Sequence, residues 1–168
     1  MPKIPVRLGI SRSSGNDSAA SKIPAEKKQL ILERDDYTCQ CCGFKSLKYQ
    51  DILHKNGNVE DHEEKNLLTV CIFCLQCFNL DSVGTMRSGV LIWLPEISQE
   101  SLHHIARAVY VARISQGPMA DAARRSLDVL MHRREEVRKR IHTDDPSILA
   151  TVLRDYISPA AYKGRVDK

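Results

Sequence analysis

All six cysteines of this 168-residue chain fall between residues 39 and 77, and that clustering constrains the fold more than any other feature. Cys39-Gln-Cys41-Cys42 and Cys71-Ile-Phe-Cys74 each place two thiols three residues apart, with 28 residues between Cys42 and Cys71. A tetrahedral zinc ion takes four soft ligands at about 2.3 Å, and a C-x2-C turn lets two sulfurs converge while nearby backbone amides donate to them. Gly43 permits the backbone to turn back after the second thiol. The spacing therefore predicts one structural zinc ion on Cys39, Cys42, Cys71 and Cys74. A four-thiolate site is closed and lacks the open position that catalytic zinc needs. Cys77 offers an overlapping C-x2-C pair with Cys74. In a helix, however, Cys71 and Cys77 diverge by about 120°, so all three cannot easily serve one ion. Cys41 and Cys77 are expected as small buried hydrophobes.

Disulfides are the weaker alternative. The N-terminus has no apolar core long enough for a signal peptide, and no stretch approaches the roughly 18 to 20 apolar residues of a membrane span. The expectation is a cytoplasmic protein without direct membrane insertion, whose thiols stay reduced. Three Phe, five Tyr and one Trp make a lean aromatic inventory, so metal binding, at about 10 to 16 kcal/mol, would replace part of a conventional core. Residues 39–99 carry 5 Lys+Arg against 7 Asp+Glu, whereas residues 100–168 carry 13 against 9. The acidity of the cysteine segment argues against nucleic acid there, since phosphate contacts supply most non-specific affinity.

Along the chain, residues 1–23 read as a flexible tail adding little to a core, and residues 24–95 as a zinc module. Residues 96–158 read as a helical section and 159–168 as a second tail. Pro24 opens a helix that runs to the turn at Asp35-Asp36. Short strands are expected beyond Cys42: Leu67–Val70 leads into Cys71, and Val90–Leu94, between Gly89 and Pro95, suits a buried strand. Three amphipathic helices should follow. One is capped by Ser98 and stops at Gly117-Pro118, one starts at Met119 with a break at Arg134, and one opens at Asp144-Asp145-Pro146. The fold class is α+β, with a C-terminal bundle of about three helices.

The segment RDDYTCQCCGF followed by NLLTVCIFC resembles the zinc-bearing form of the HNH endonuclease fold, a ββα-metal module, over residues 28–78. That resemblance implies a catalytic histidine on the hairpin and another His after the last cysteine. Here Gln50-Asp51-Ile52 and Leu75 occupy those places, and only Asn66 agrees, in a structural role. Metal-assisted phosphodiester cleavage needs a general base and open positions on a divalent ion, so no catalytic residue is assigned. His54 and His62, in an acidic stretch, are expected as solvated loop residues. The four histidines of the helical section are expected at exposed polar positions.

A closer resemblance spans most of the chain. The runs RDDYTCQCCGF, YQDI, NLLTVCIFCLQCF, DSVG, LIWLPEISQESL and DDPSIL resemble, in order and spacing, the IcmJ/DotN family of the Dot/Icm type IVB secretion system. The resemblance implies a zinc-stabilised, non-catalytic adaptor in the coupling complex at the inner membrane. It would bind the C-terminal extension of the DotL-like coupling ATPase and help recruit substrates with the IcmS/IcmW chaperones. The alternatives are an HNH-type nuclease with displaced catalytic residues, His54 being the candidate base, and a zinc-dependent nucleic-acid-binding protein using the Arg124–Arg140 helix as its basic face.

Overall fold

The computed structural model describes residues 4–10 and 23–164. Residues 11–22, most of the expected N-terminal tail, and residues 165–168 of the expected C-terminal one lie outside the described residues. The chain divides into two compact units, Met1–Asn79 and Leu80–Lys168.

In the first unit, helix α1 spans Ala25–Arg34, preceded by Pro24 and ending at Asp35. Its buried residues Ile31 and Leu32 pack with Ile52 and Leu67 into one small core. Strands β1 (Gln50–His54) and β2 (Leu67–Cys71) form a two-stranded antiparallel sheet with Gln50 opposite Cys71 and His54 opposite Leu67. Helix α2 (Ile72–Phe78) follows β2 without a loop.

A two-stranded sheet has two open edges, and unpaired edge amides invite foreign strands. The outer side of β2 is closed by side-chain and loop contacts. The Thr69 amide donates to Asp35 Oδ2 at 3.0 Å, and the Thr69 carbonyl accepts from the Gln40 amide at 2.8 Å. Arg34 holds Asp35 through both carboxylate oxygens at 2.9 Å and also donates to the carbonyls of Glu64 and Leu67. The Asp35 carboxyl is held below its ordinary range: burial pushes it up, but Arg34 and Thr69 outweigh burial. Contrary to the expectation of a tail outside the core, Ile4 and Val6 pack on the cysteine cluster and Ile10 is buried. Backbone bonds from Ile4 to Gln40 and from Gly9 to Cys77 hold this segment.

The second unit is helical: α3 (Leu80–Met86), α4 (Gln99–Arg113), α5 (Pro118–His132), α6 (Arg134–Ile141), α7 (Pro146–Thr151, extended as a π-helical turn over Val152–Tyr156) and α8 (Pro159–Gly164). α3 packs against α7, and α4 against α5. Ser98 caps α4 by accepting from the Ser101 amide, and Asp145 caps α7 by accepting from Ser147. The described residues thus form six helical segments rather than about three. The expected break is real, with Arg133 terminating α5 and leading into α6. Two short helices, α3 and α8, carry too few apolar positions to show a stripe.

The strand expected over Val90–Leu94 does not form. Its alternate amides are taken by helix-junction carbonyls, Leu91 by Asp144 at 2.9 Å and Trp93 by Arg133 at 3.3 Å, so no ladder partner remains.

Candidate metal centre

The first cysteine pair sits on a small hairpin. Thr38 bridges Lys45, the Cys39 amide donates to the Phe44 carbonyl, and the Gly43 amide returns to the Cys39 carbonyl, each at 2.9 Å for the latter two. Gly43 takes φ +75 to close this turn, a conformation L side chains rarely adopt. The second pair is placed by the β2–α2 junction: Cys71 ends the strand at the position just before the helix, and Cys74 lies in the first helical turn.

These elements bring Cys39, Cys42, Cys71 and Cys74 together, their sulfurs all within 4.8 Å of one another. Cys42 Sγ lies 3.7 Å from Cys71 Sγ, and the Cys42 amide donates to Cys39 Sγ at 3.5 Å. Four sulfurs at the corners of a tetrahedron with bonds of about 2.3 Å stand about 3.8 Å apart, so this spacing suits one ion of zinc's size. Phe44, Leu53, Phe73, Leu75 and Phe78 pack around the group. Among the described residues no other cluster of three or more His, Cys, Asp or Glu could hold a metal. Cys41 and Cys77 are buried but are not among these four sulfurs, though Cys41 lies in the same buried cluster, and no disulfide joins any of the six cysteines.

The electrostatics of the group follow from packing five thiols, the four converging ones and Cys41, into one volume. The Cys39 thiol is pulled far down, first because Cys41 and then Cys42, Cys71 and Cys74 donate to it, and this outweighs its burial. Cys41, Cys71 and Cys74 are each pushed up, first because their thiols donate to Cys39. Cys42 is lowered to about 6: its own donation to Cys39 raises it, but donation from Cys71 and Cys74 prevails. One thiolate therefore suppresses ionisation of most of its neighbours, and a bound cation removes that penalty by compensating the charge of all four. The donor set fits a soft divalent ion.

The hairpin positions that the HNH resemblance makes catalytic hold other chemistry. Asp51 accepts from Lys28 Nζ at 2.7 Å and from the Ile52 amide at 2.8 Å. The Gln50 amide group donates to the carbonyls of Tyr37 and Phe44, tying the cysteine hairpin to β1. Leu75 packs on the thiol cluster. Asn66 is buried; its side chain accepts from the Asn56 amide at 2.9 Å and donates to the Asp61 carbonyl at 2.8 Å, which shapes the connection between the strands.

Two histidine expectations are corrected. His54 is the last residue of β1, and its Nε2 is buried without a hydrogen-bond partner, so it is not a solvated loop residue. His103 is buried in α4, with Gln99 Nε2 3.0 Å from its Nε2. The basic segment from Arg124 to Arg140 is extensively ion-paired, to Asp121, Glu96, Asp144 and Glu136.

A short hairpin, a following helix and four converging thiols define a small α+β protein built around a candidate four-cysteine metal centre, joined to a helical unit. No family model matches the chain. It is 34% identical over 157 residues, spanning 89% of this chain and 73% of the relative, to the type 4 apparatus protein DotN of Legionella pneumophila subsp. pneumophila, strain Philadelphia 1. The chain belongs to the IcmJ/DotN family. No helix among the described residues is long and apolar enough to cross a membrane.

Proposed function

We propose that this protein is a non-catalytic adaptor subunit of a type IVB secretion coupling complex. In this reading it resides in the cytoplasm against the inner membrane, binds the C-terminal extension of a DotL-like coupling ATPase, and supports substrate recruitment beside IcmS/IcmW-like chaperones. The carrying observation is the 34% identity over 89% of the chain to a protein named for the type 4 apparatus. One zinc ion on Cys39, Cys42, Cys71 and Cys74 is the folding cofactor, in a module of degenerate HNH type formed by β1, β2 and α2. The sulfur spacing supports that ligand set.

The chemistry of the module supports the absence of catalysis. Four thiolates leave zinc no open position for water or substrate. Asp51, where the resemblance places a general base, is engaged by Lys28, and Leu75, where it places a metal-binding His, has no donor atom. The ion pairing along Arg124–Arg140 likewise reduces the charge available to phosphates.

Co-purification with the C-terminal extension of the neighbouring coupling ATPase tests the reading. A stable complex at micromolar concentration is expected, and its absence refutes the adaptor role. Plasmid nicking with added magnesium, manganese or nickel that is abolished by His54→Ala would refute the non-catalytic reading.

A further inference from the structure

The two longest helices of the second unit leave most of their surface outside any core. α4 and α5 span 15 residues each, yet only His103 and Val109 of the first and Ala120 and Ala123 of the second are buried. They pack on each other across a short connection, residues 114–117, in which Gly117 takes φ +75, and so form an antiparallel helical hairpin. Among the described residues no third helix packs along both. A helix pair alone cannot cover two amphipathic stripes; bundles do so with a third or fourth helix.

What the hairpin shows to solvent is ordered. Ile105, Ala108 and Ala112 on α4 recur at three and four residues, and Met119, Ala122 and Val129 on α5 at three and seven, the spacing of a seam that meets another helix. Ile105, Met119 and Val129 are 41%, 63% and 66% exposed, Ala108 and Ala122 are exposed, and Ala112 is half-buried. At about 100° per residue, each seam is turned by more than about 100° from the buried residues of its own helix, and in the same rotational sense. In an antiparallel pair that shared sense brings both seams to one side of the hairpin. Contiguous exposed apolar surface marks an interaction site, where apolar residues scattered singly do not.

The border of the face sets the charge of what it takes. Among the formal charges of the two helices Arg125 stands nearest, about 70° from the midline of its seam. It makes no ion pair among the described residues. Glu100, Asp121 and Asp128 stand more than about 100° from their seams, and Asp121 is held by Arg124. The chain as a whole carries +4. Two copies facing each other here would bring like net charge together, whereas a helix with Asp or Glu beside its apolar seam would meet Arg125 with the opposite sign.

We propose that the α4–α5 face is a docking surface for one amphipathic α-helix of a partner protein, apolar along its seam and acidic beside it, which lies along the hairpin as the third helix of a bundle. This deepens the adaptor reading and rests on it for the supply of such a helix.

The full chain is titrated into a fluorescein-labelled synthetic helix of about 21 residues, three heptads with Leu at the seam and Glu beside it, and into the same helix with Lys for Glu. Anisotropy is read in low and high salt. The Glu helix should bind saturably at micromolar concentration, about tenfold or more tighter than the Lys helix, and the difference should narrow in high salt and on Arg125→Glu. Ala108→Glu and Val129→Glu should each weaken binding about tenfold or more, because each sets an unpaired charge into the covered seam. Circular dichroism should not change, since both positions are exposed. No saturable binding of the Glu helix, equal affinity for the two helices, or equal affinity of wild type and both seam variants overturns the proposal. So does a dimer in sedimentation that Val129→Glu dissociates, which would put a second copy on the face. A complex with the ATPase extension that persists in both seam variants keeps the adaptor reading and overturns this surface. Binding of the Glu helix by a chain that forms no complex with the extension refutes the adaptor reading and leaves the surface standing.

Discussion

Replacing Asp35 by alanine tests whether the outer edge of the sheet is closed by this one carboxylate. The substitution removes the acceptor of the Thr69 amide, in a residue that is itself fully buried, and the bidentate partner of Arg34. Leaving the Thr69 N–H unsatisfied costs about 1 to 3 kcal/mol. Arg34 keeps the Glu64 and Leu67 carbonyls, and its side chain is 35% exposed, so water screens the pair and its loss adds at most about 1 kcal/mol. The expected destabilisation is therefore about 2 to 4 kcal/mol, a large share of the roughly 5 to 15 kcal/mol of a typical domain. Asp35→Asn keeps a carbonyl oxygen for Thr69 but loses the charge and sets its NH2 against the Arg34 Nε–H, so a smaller cost of about 1 to 2 kcal/mol is expected. Urea unfolding followed by far-UV circular dichroism gives the difference. Hydrogen exchange at the Thr69 amide assigns it to the first unit, and protection there should fall by the same free energy. The pH dependence has a definite sign. A carboxyl whose folded pKa is depressed stabilises above its unfolded value, near pH 4, and that contribution is lost as pH falls through the folded value. The gap between wild type and Asp35→Asn should accordingly be full at neutral pH and shrink below about pH 4. A change under about 0.5 kcal/mol for Asp35→Ala, with Thr69 protection intact, would refute the reasoning.

Two further outcomes are expected. Cys39→Ser and Cys74→Ser should each abolish retention of the tightly held ion and the cooperative melting of the first unit, while Cys77→Ala keeps the metal; elemental analysis and thermal circular dichroism check both, and a Cys77→Ala protein without metal would overturn the ligand set. In the second unit, a Cβ added at Gly84 would stand 2.4 Å from Ser147 Cβ and 2.9 Å from the Ser147 backbone. Gly84→Ala should therefore push α3 from α7 at a cost of about 1 to 3 kcal/mol or more, seen as a lower melting temperature by the fluorescence of Trp93, the single tryptophan, and an unchanged melt would contradict this packing.

What could be read from the sequence is what depends on nearby residues. The two C-x2-C pairs prescribe their own turns, Gly43 supplies the positive φ, and Ser98 and Asp145 announce the starts of α4 and α7 within three residues of the amides they cap. The misread features depend on distant ones. Val90–Leu94 has the composition of a strand, but its amides meet the carbonyls of Asp144 and Arg133, more than 35 residues ahead, and no local pattern encodes that competition. His54 sits in an acidic, turn-rich stretch and looks solvated until β1 pairs with β2 and buries its ring nitrogen.

The same distinction explains why the cysteine spacing alone undersold the module. Cys71 and Cys74 are where they are because β2 runs straight into α2, and β2 is held on one side by β1 and on the other by Asp35 and Gln40. Gln40 is also a neighbour of Cys39, and Gln50, opposite Cys71, binds the carbonyls of Tyr37 and Phe44 that bracket the first thiol hairpin. The sheet thus helps set the distance between the two thiol pairs through hydrogen bonds that are buried or partly buried. A metal bound between the pairs adds to the same framework, because its charge relieves the suppressed ionisation of Cys71 and Cys74. Metal binding and sheet closure are therefore one cooperative event, so damage at the Asp35–Thr69 contact should weaken metal retention even though neither residue bears a ligand atom.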